Sequence, residues 1–165
     1  MIPISPADVT RHPFLRGLPP DFAVQLAAHT TIRSLPARFR LFEEGGTANR
    51  FWLVTSGHVA LDVHAPGRRP LIIETIGAGE LVGLSWLSPE PRLWQFGAIA
   101  TEATTAFELD ADAVIGLCDE RPELGYEIQR RLIAVLSDRL HATRLRLLDL
   151  YSSPAYLATT SGGPA

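Results

Sequence analysis

Between Thr31 and Leu109 no stretch runs much beyond a dozen residues before glycine or proline interrupts it. The cuts fall at "EEGG", "SGH", "APGRRP", "GAGE" and "SPEP", and the pieces between them are rich in β-branched and aromatic residues. Such pieces are too short for ordinary helices and have the composition of strands, so the segment predicts an antiparallel sandwich, barrel or roll over about 31–110. "FWLVTSGHVALDV" gives the clearest pair of strands, Phe51–Thr55 and Val59–Val63, with Gly57 at the turn.

The flanks follow a different period. Before the strands, "PPD" opens a short helical lead-in, with Phe22, Leu26 and Ala27 on its apolar side. After them, Ile128, Leu132, Val135, Leu136, Thr143, Leu147 and Leu150 recur at three- and four-residue steps behind Pro122. One long helix is expected from about 122 to 150. At 1.5 Å per residue it would be roughly 40 Å long, more than a small roll can cover. Its stripe of Leu132, Leu136, Thr143 and Leu147 either folds against its own roll or forms the seam of a homodimer, and the second reading is preferred. The end of the sequence, 152–165, is small, polar and rich in glycine and proline, and reads as a flexible tail on a domain spanning 1–151.

Composition removes several functions. All 15 basic residues are arginine, so neither a Walker-type phosphate loop nor a Schiff-base enzyme can be built. The formal charge of −3 gives no reason to expect binding to a nucleic-acid backbone. The single cysteine, Cys118, cannot form an internal disulfide and suits a reducing cytoplasm. No apolar run approaches the roughly 18 to 20 residues that cross a bilayer, so no membrane association is expected.

Catalytic groupings are equally scarce. The histidines at 12, 29, 58, 64 and 141 are scattered without a metal-binding spacing, and Ser56 and Ser85 lie outside any nucleophile elbow. Cys118 occupies an apolar helical position and reads as an inert thiol. "GAGEL" follows a strand but is not followed by a long helix, so it reads as a turn and not as a dinucleotide-binding loop. A non-enzymatic role is expected.

Several phrases in order resemble a known family. "LFEEGGTANRFWLVTSGHVAL", "GAGELVGLSWL" and "AIATEATTAFEL" are similar to successive segments of cyclic-nucleotide-binding domains, the sensor half of Crp/Fnr-type regulators. The resemblance covers about Phe14 to Tyr151. It implies a jelly-roll-like β-roll, a double-stranded β-helix, with flanking helices and a phosphate-binding cassette. In that cassette a glutamate just after a glycine binds the ribose hydroxyl, and an arginine ten residues later pairs with the cyclic phosphate.

Gly83 matches the glycine, but Leu84 stands at the glutamate position, Trp94 at the arginine position and Gln95 where a serine or threonine would assist. The candidate pocket is thus a degenerate cassette of Gly83, Leu84, Ser85, Trp86, Arg92, Trp94, Gln95 and Phe96. A cyclic phosphate buried against indole would lack charge-assisted donors, so ordinary cAMP binding should be weak. Arg92, two residues before Trp94, would share its face in an extended strand and could supply the missing cation.

"GLSWLSPEPRLWQF" also resembles a subset of short bacterial cyclic-nucleotide-binding-like proteins without a DNA-binding domain, and only a short polar stretch follows Leu150. Three functions follow as expectations. The first is a stand-alone regulatory module with a divergent pocket, acting through an unknown protein partner and not on DNA. The second is a genuine cAMP or cGMP receptor using Arg92. The third, remote, is a cupin-type enzyme, for which His58 and His64 are too few ligands. No cofactor is certain, and a cyclic nucleotide or another small ligand is the candidate.

Overall fold

The computed structural model describes residues 4–151, so the tail expected at 152–165 lies outside the described residues. Three short helical pieces lead in. They are α1 (Pro6–Val9), a 3-10 turn at Pro13–Leu15, and α2 (Pro20–Ala28). Pro20 starts α2 where a missing N–H costs nothing, Asp21 lies in its first turn, and Phe22 and Leu26 are buried.

Eight strands follow among the described residues: β1 (Thr30–Leu35), β2 (Arg40–Phe42), β3 (Arg50–Ser56), β4 (Val59–Val63), β5 (Leu71–Ile76), β6 (Leu81–Val82), β7 (Gly97–Ala100) and β8 (Thr104–Asp110). They form two antiparallel four-stranded sheets, ordered β1-β8-β3-β6 and β2-β7-β4-β5. This is a jelly roll, and the strands lie where the punctuation places them. The buried side chains include Leu53, Val54, Val59, Ile76, Leu81, Val82 and Ala106, contributed by both sheets.

One expectation is corrected. Val59–Val63 is not the partner of the strand before it: β3 pairs with β6 and β8, while β4 pairs with β5 and β7. The chain therefore crosses from one sheet to the other at Gly57. That glycine has φ +81°, and a Cβ there would lie 2.5 Å from Thr104 Oγ1 and 2.7 Å from the Ala103 carbonyl. Close approach to the start of β8, not a hairpin, is what the glycine permits.

The helix α3 (Ala111–Glu120) precedes the long one; the sequence reading has Cys118 in a helical position but gives this helix no bounds. Its signal was present: the Asp110 carboxylate accepts from the Ala113 N–H at 2.9 Å, an N-cap bond. Cys118 lies on α3, where burial, assisted by Asp119, pushes its thiol pKa up and leaves it a poor nucleophile. The Arg121 guanidinium sits 4.9 Å above the Phe22 ring and 3.1 Å from Asp21, which fixes the end of α3 against α2.

The last helix, α4 (Pro122–Tyr151), has the expected bounds to within a residue. The chain divides into two compact units after Glu127, so most of α4 belongs to the second. Along that part Leu132 is buried, whereas Ile133, Leu136, Leu140 and Leu147 are 62, 45, 53 and 48% exposed. Thr143 is exposed and its hydroxyl donates to the Arg139 carbonyl at 2.8 Å, a bond within the helix. Among the described residues no helix is long and apolar enough to cross a membrane.

Candidate functional site: a cassette filled by tryptophan

The connection from β6 to β7 carries the residues expected to form the cassette. Val82 ends β6, Gly83 turns the backbone with φ +86°, and Ser85–Leu87 form a single 3-10 turn. Trp86 on that turn is buried and stacks on Phe51 of β3, with ring centroids 5.0 Å apart and planes at 18°. This contact pins the turn to the sheet. Leu84 is half-buried, Phe96 is partly exposed, and exposed Gln95 donates its backbone N–H to Ser85 Oγ at 3.3 Å.

Trp94 occupies the centre. It is 5% exposed, and its main chain is clamped by the turn after β2: its N–H donates to the Gly46 carbonyl and its carbonyl accepts from the Gly45 N–H, both at 2.8 Å. Its indole stacks on Phe42 with centroids 3.8 Å apart and planes at 15°. Phe42 in turn lies 5.5 Å from Trp52, so three aromatic rings from β2, β3 and the cassette form one stack. The far edge of the Trp94 indole, Cη2 and Cζ3, comes to 3.0 Å from the point where a Cβ on Gly83 would stand. A side chain at residue 83 would press on the Trp94 ring and be strained by the positive φ.

Arg92 does not share this environment. Its Nη2 lies 2.8 Å from Asp112 at the start of α3, and its Nε lies 2.6 Å from Glu90. Hydrogen bonds to Asp112 and then Glu90 raise its pKa further, so it is a fixed cation already held by two carboxylates. The shared face with Trp94, expected for an extended strand, is not realised as a shared pocket.

A second polar group borders the aromatic stack. Glu108 on β8 accepts from the Trp52 indole N–H at 2.9 Å and from Arg50 at 2.8 Å, with Arg33 at 3.5 Å. On the other sheet, buried Asp62 takes two bonds from Arg40 Nη1, at 2.8 and 2.7 Å. Among the described residues no group of three or more His, Cys, Asp or Glu is placed to hold a metal.

Residues 32–121 match the cyclic nucleotide-binding domain. The chain belongs to that family. A curated relative, the CRP-like cAMP-activated global transcriptional regulator of Mycobacterium tuberculosis, is 28% identical over 143 residues, 86% of this chain. The chain spans 61% of that relative's length. Among solved structures, the catabolite activator protein of Thermus thermophilus is 28% identical with a TM-score of 0.65, covering 85% of this chain and 63% of that one. A cyclic nucleotide-binding domain from Methylobacillus flagellatus KT shares the fold at a TM-score of 0.75 and 21% identity, covering 87% of this chain and 83% of that one.

Within this cyclic nucleotide-binding domain, the structure sets Gly83 against Trp94 and Ser85 against Gln95, stacks Trp86 on Phe51, and ties Arg92 to Asp112 and Glu90. Sequence reasoning missed Phe42 and Trp52, the partners of Trp94. Both lie on expected strands, but nothing local signals that strands from separate sheets and a distant loop converge on one stack.

Proposed function

We propose that this member of the family is a regulatory module whose nucleotide pocket is closed by its own Trp94, so that it acts through protein contacts and does not take cAMP in the usual way. One observation carries this reading: the Trp94 ring is packed between Phe42 and Gly83, at the position the family gives to its phosphate-binding arginine. Leu84 offers no acceptor for a ribose hydroxyl. Arg92, which could have replaced the lost cation, is held by Asp112 and Glu90. The net charge of −3, without a basic excess, favours a protein partner over nucleic acid, and the single cysteine, which can form no internal disulfide, suits a cytoplasmic regulator.

The same module is proposed to pair with a second copy through α4. Ile133, Leu136, Leu140, Thr143 and Leu147 alternate steps of three and four and form a heptad seam whose leucines and isoleucine are exposed. Leu132, expected in that seam, is buried and leaves it; Ile133 and Leu140 take its place.

Calorimetry against cAMP and cGMP tests the closed pocket. The wild type is expected to give no binding heat at millimolar ligand, and Leu84→Glu with Trp94→Arg is expected to gain affinity because a hydroxyl acceptor and a bidentate cation return together. Micromolar binding by the wild type would overturn the reading.

A further inference from the structure

The structure assigns a docking corner for an arginine of a partner protein to the meeting point of α2 and the start of α4. It rests on the reading that the module acts through protein contacts, and it names the chemistry of one such contact. A groove of about 620 Å³ opens there, lined by Pro19, Phe22, Pro122, Glu123, Tyr126 and Glu127. All six belong to the first compact unit.

One half of the corner already shows how it receives a guanidinium. Arg121 lies 4.9 Å above the Phe22 ring while its Nη2 is 3.1 Å from the Asp21 carboxylate. A ring face with a carboxylate beside it suits a flat cation. The other half repeats that pair without a cation over the ring. Tyr126 and Glu123 stand three residues apart on α4, so they share a helix face, and both line the groove. Tyr126 is 67% exposed, and among the described residues its ring has no aromatic or cationic contact and its hydroxyl no hydrogen bond. Glu123 is 74% exposed and only borders Arg121, 3.9 Å from its Nε.

The surrounding charge selects a cation. The segment 119–127 carries four acids, Asp119, Glu120, Glu123 and Glu127, against Arg121 alone. Asp119 and Glu120 are exposed and form no ion pair among the described residues, while Glu127 already has a partner. The next arginines along the two segments, Arg16 and Arg130, do not line the groove and have partners of their own. An acidic segment would be repelled here. Arginine fits better than lysine because its plane stacks on a tyrosine ring while its fork meets a carboxylate. The apolar lining of Pro19, Phe22 and Pro122 takes an apolar residue next to that arginine.

The test titrates the full chain with acetyl-Pro-Arg-Leu-Pro-Arg-Pro-amide by calorimetry, beside the same peptide with citrulline or lysine at both arginine positions. The arginine peptide is expected to bind saturably below millimolar concentration. The two counterparts should bind about 10-fold more weakly or worse, equivalent to about 1.4 kcal/mol. Tyr126→Ala and Glu123→Gln should each lose a similar factor with little change in urea midpoint, since both side chains are exposed, whereas Tyr126→Phe keeps the ring and the affinity. Glu44→Gln removes the same charge outside the lining and should change nothing. Absence of saturable binding by the wild type, equal affinity for the arginine peptide and either counterpart, or full affinity in Tyr126→Ala would each overturn the site. So would a peptide that binds only by converting a dimer to a monomer in sedimentation, because a second copy would then be the occupant. Cyclic nucleotides test the closed cassette and these peptides test the corner, so either reading can fail alone.

Discussion

The indole of Trp94 comes to 3.0 Å from the point where a Cβ on Gly83 would stand, so any side chain at residue 83 would push on the ring. The glycine is required twice over, by its φ of +86° and by the ring above it.

Gly83→Ala should therefore destabilise the domain by about 1–3 kcal/mol, read as a lower urea midpoint with unchanged slope. In a Trp94→Leu background the same substitution should cost less, because the clash is gone and only the backbone strain remains. Equal costs in both backgrounds would mean that the ring does not constrain residue 83.

Buried Asp62 takes both of its side-chain hydrogen bonds from Arg40. Arg40→Met leaves that carboxylate at 6% exposure without a cation and should cost about 3 kcal/mol in urea unfolding. Arg40→Met with Asp62→Leu should recover most of the loss. A double variant no more stable than the single one would show that the pair does more than neutralise itself.

His12 joins the lead-in to β3. Its Nε2 is 3.0 Å from the Val54 carbonyl, and its Nδ1 accepts the Phe14 N–H at 3.2 Å, which together require the neutral ring with the proton on Nε2. Burial lowers its pKa below 6.5, and the bond to Val54 only partly opposes this. The unfolded chain then binds the extra proton more readily than the folded one. The stability this neutral ring contributes is present above pH 6.5 and falls away as pH drops from 6.5 through the folded-state value. Unfolding titrations between about pH 6.5 and 5, above the carboxylate range, should show a slope that His12→Gln reduces. An identical slope in the variant would remove His12 as its source.

The α4 seam makes a separate claim. Leu136→Asp with Leu147→Asp should give a monomer in sedimentation with its β-rich circular dichroism intact. Each leucine buried in the seam contributes roughly 1.5 to 3 kcal/mol by area. A wild type that is already monomeric at tens of micromolar would dismiss the seam.

The strand boundaries were legible because glycine and proline act locally: Gly57, Gly67 and Gly79 end strands through the backbone of their own turns. Strand partnership was not, because it depends on residues far apart in sequence. The same "TSGHV" serves a hairpin or a crossing equally well until Thr104 is known to stand above Gly57. At the cassette, the missing acid and cation could be read from Leu84 and Trp94, yet the fate of the indole depended on Phe42, which lies 52 residues earlier. On α4 the helical period marks Leu132 and Ile133 as neighbours and does not tell which is covered. Only burial separates them.

The order β1-β8-β3-β6 also bears on how the protein is made. Thr30 pairs with Leu109 and Phe51 with the same Leu109, so β8 is the central partner of two strands that leave the ribosome long before it. At about 5–20 residues per second, β1 is exposed for several seconds before its partner exists. During synthesis the first sheet is an open template, and the covering of its edges waits on the last strand of the roll.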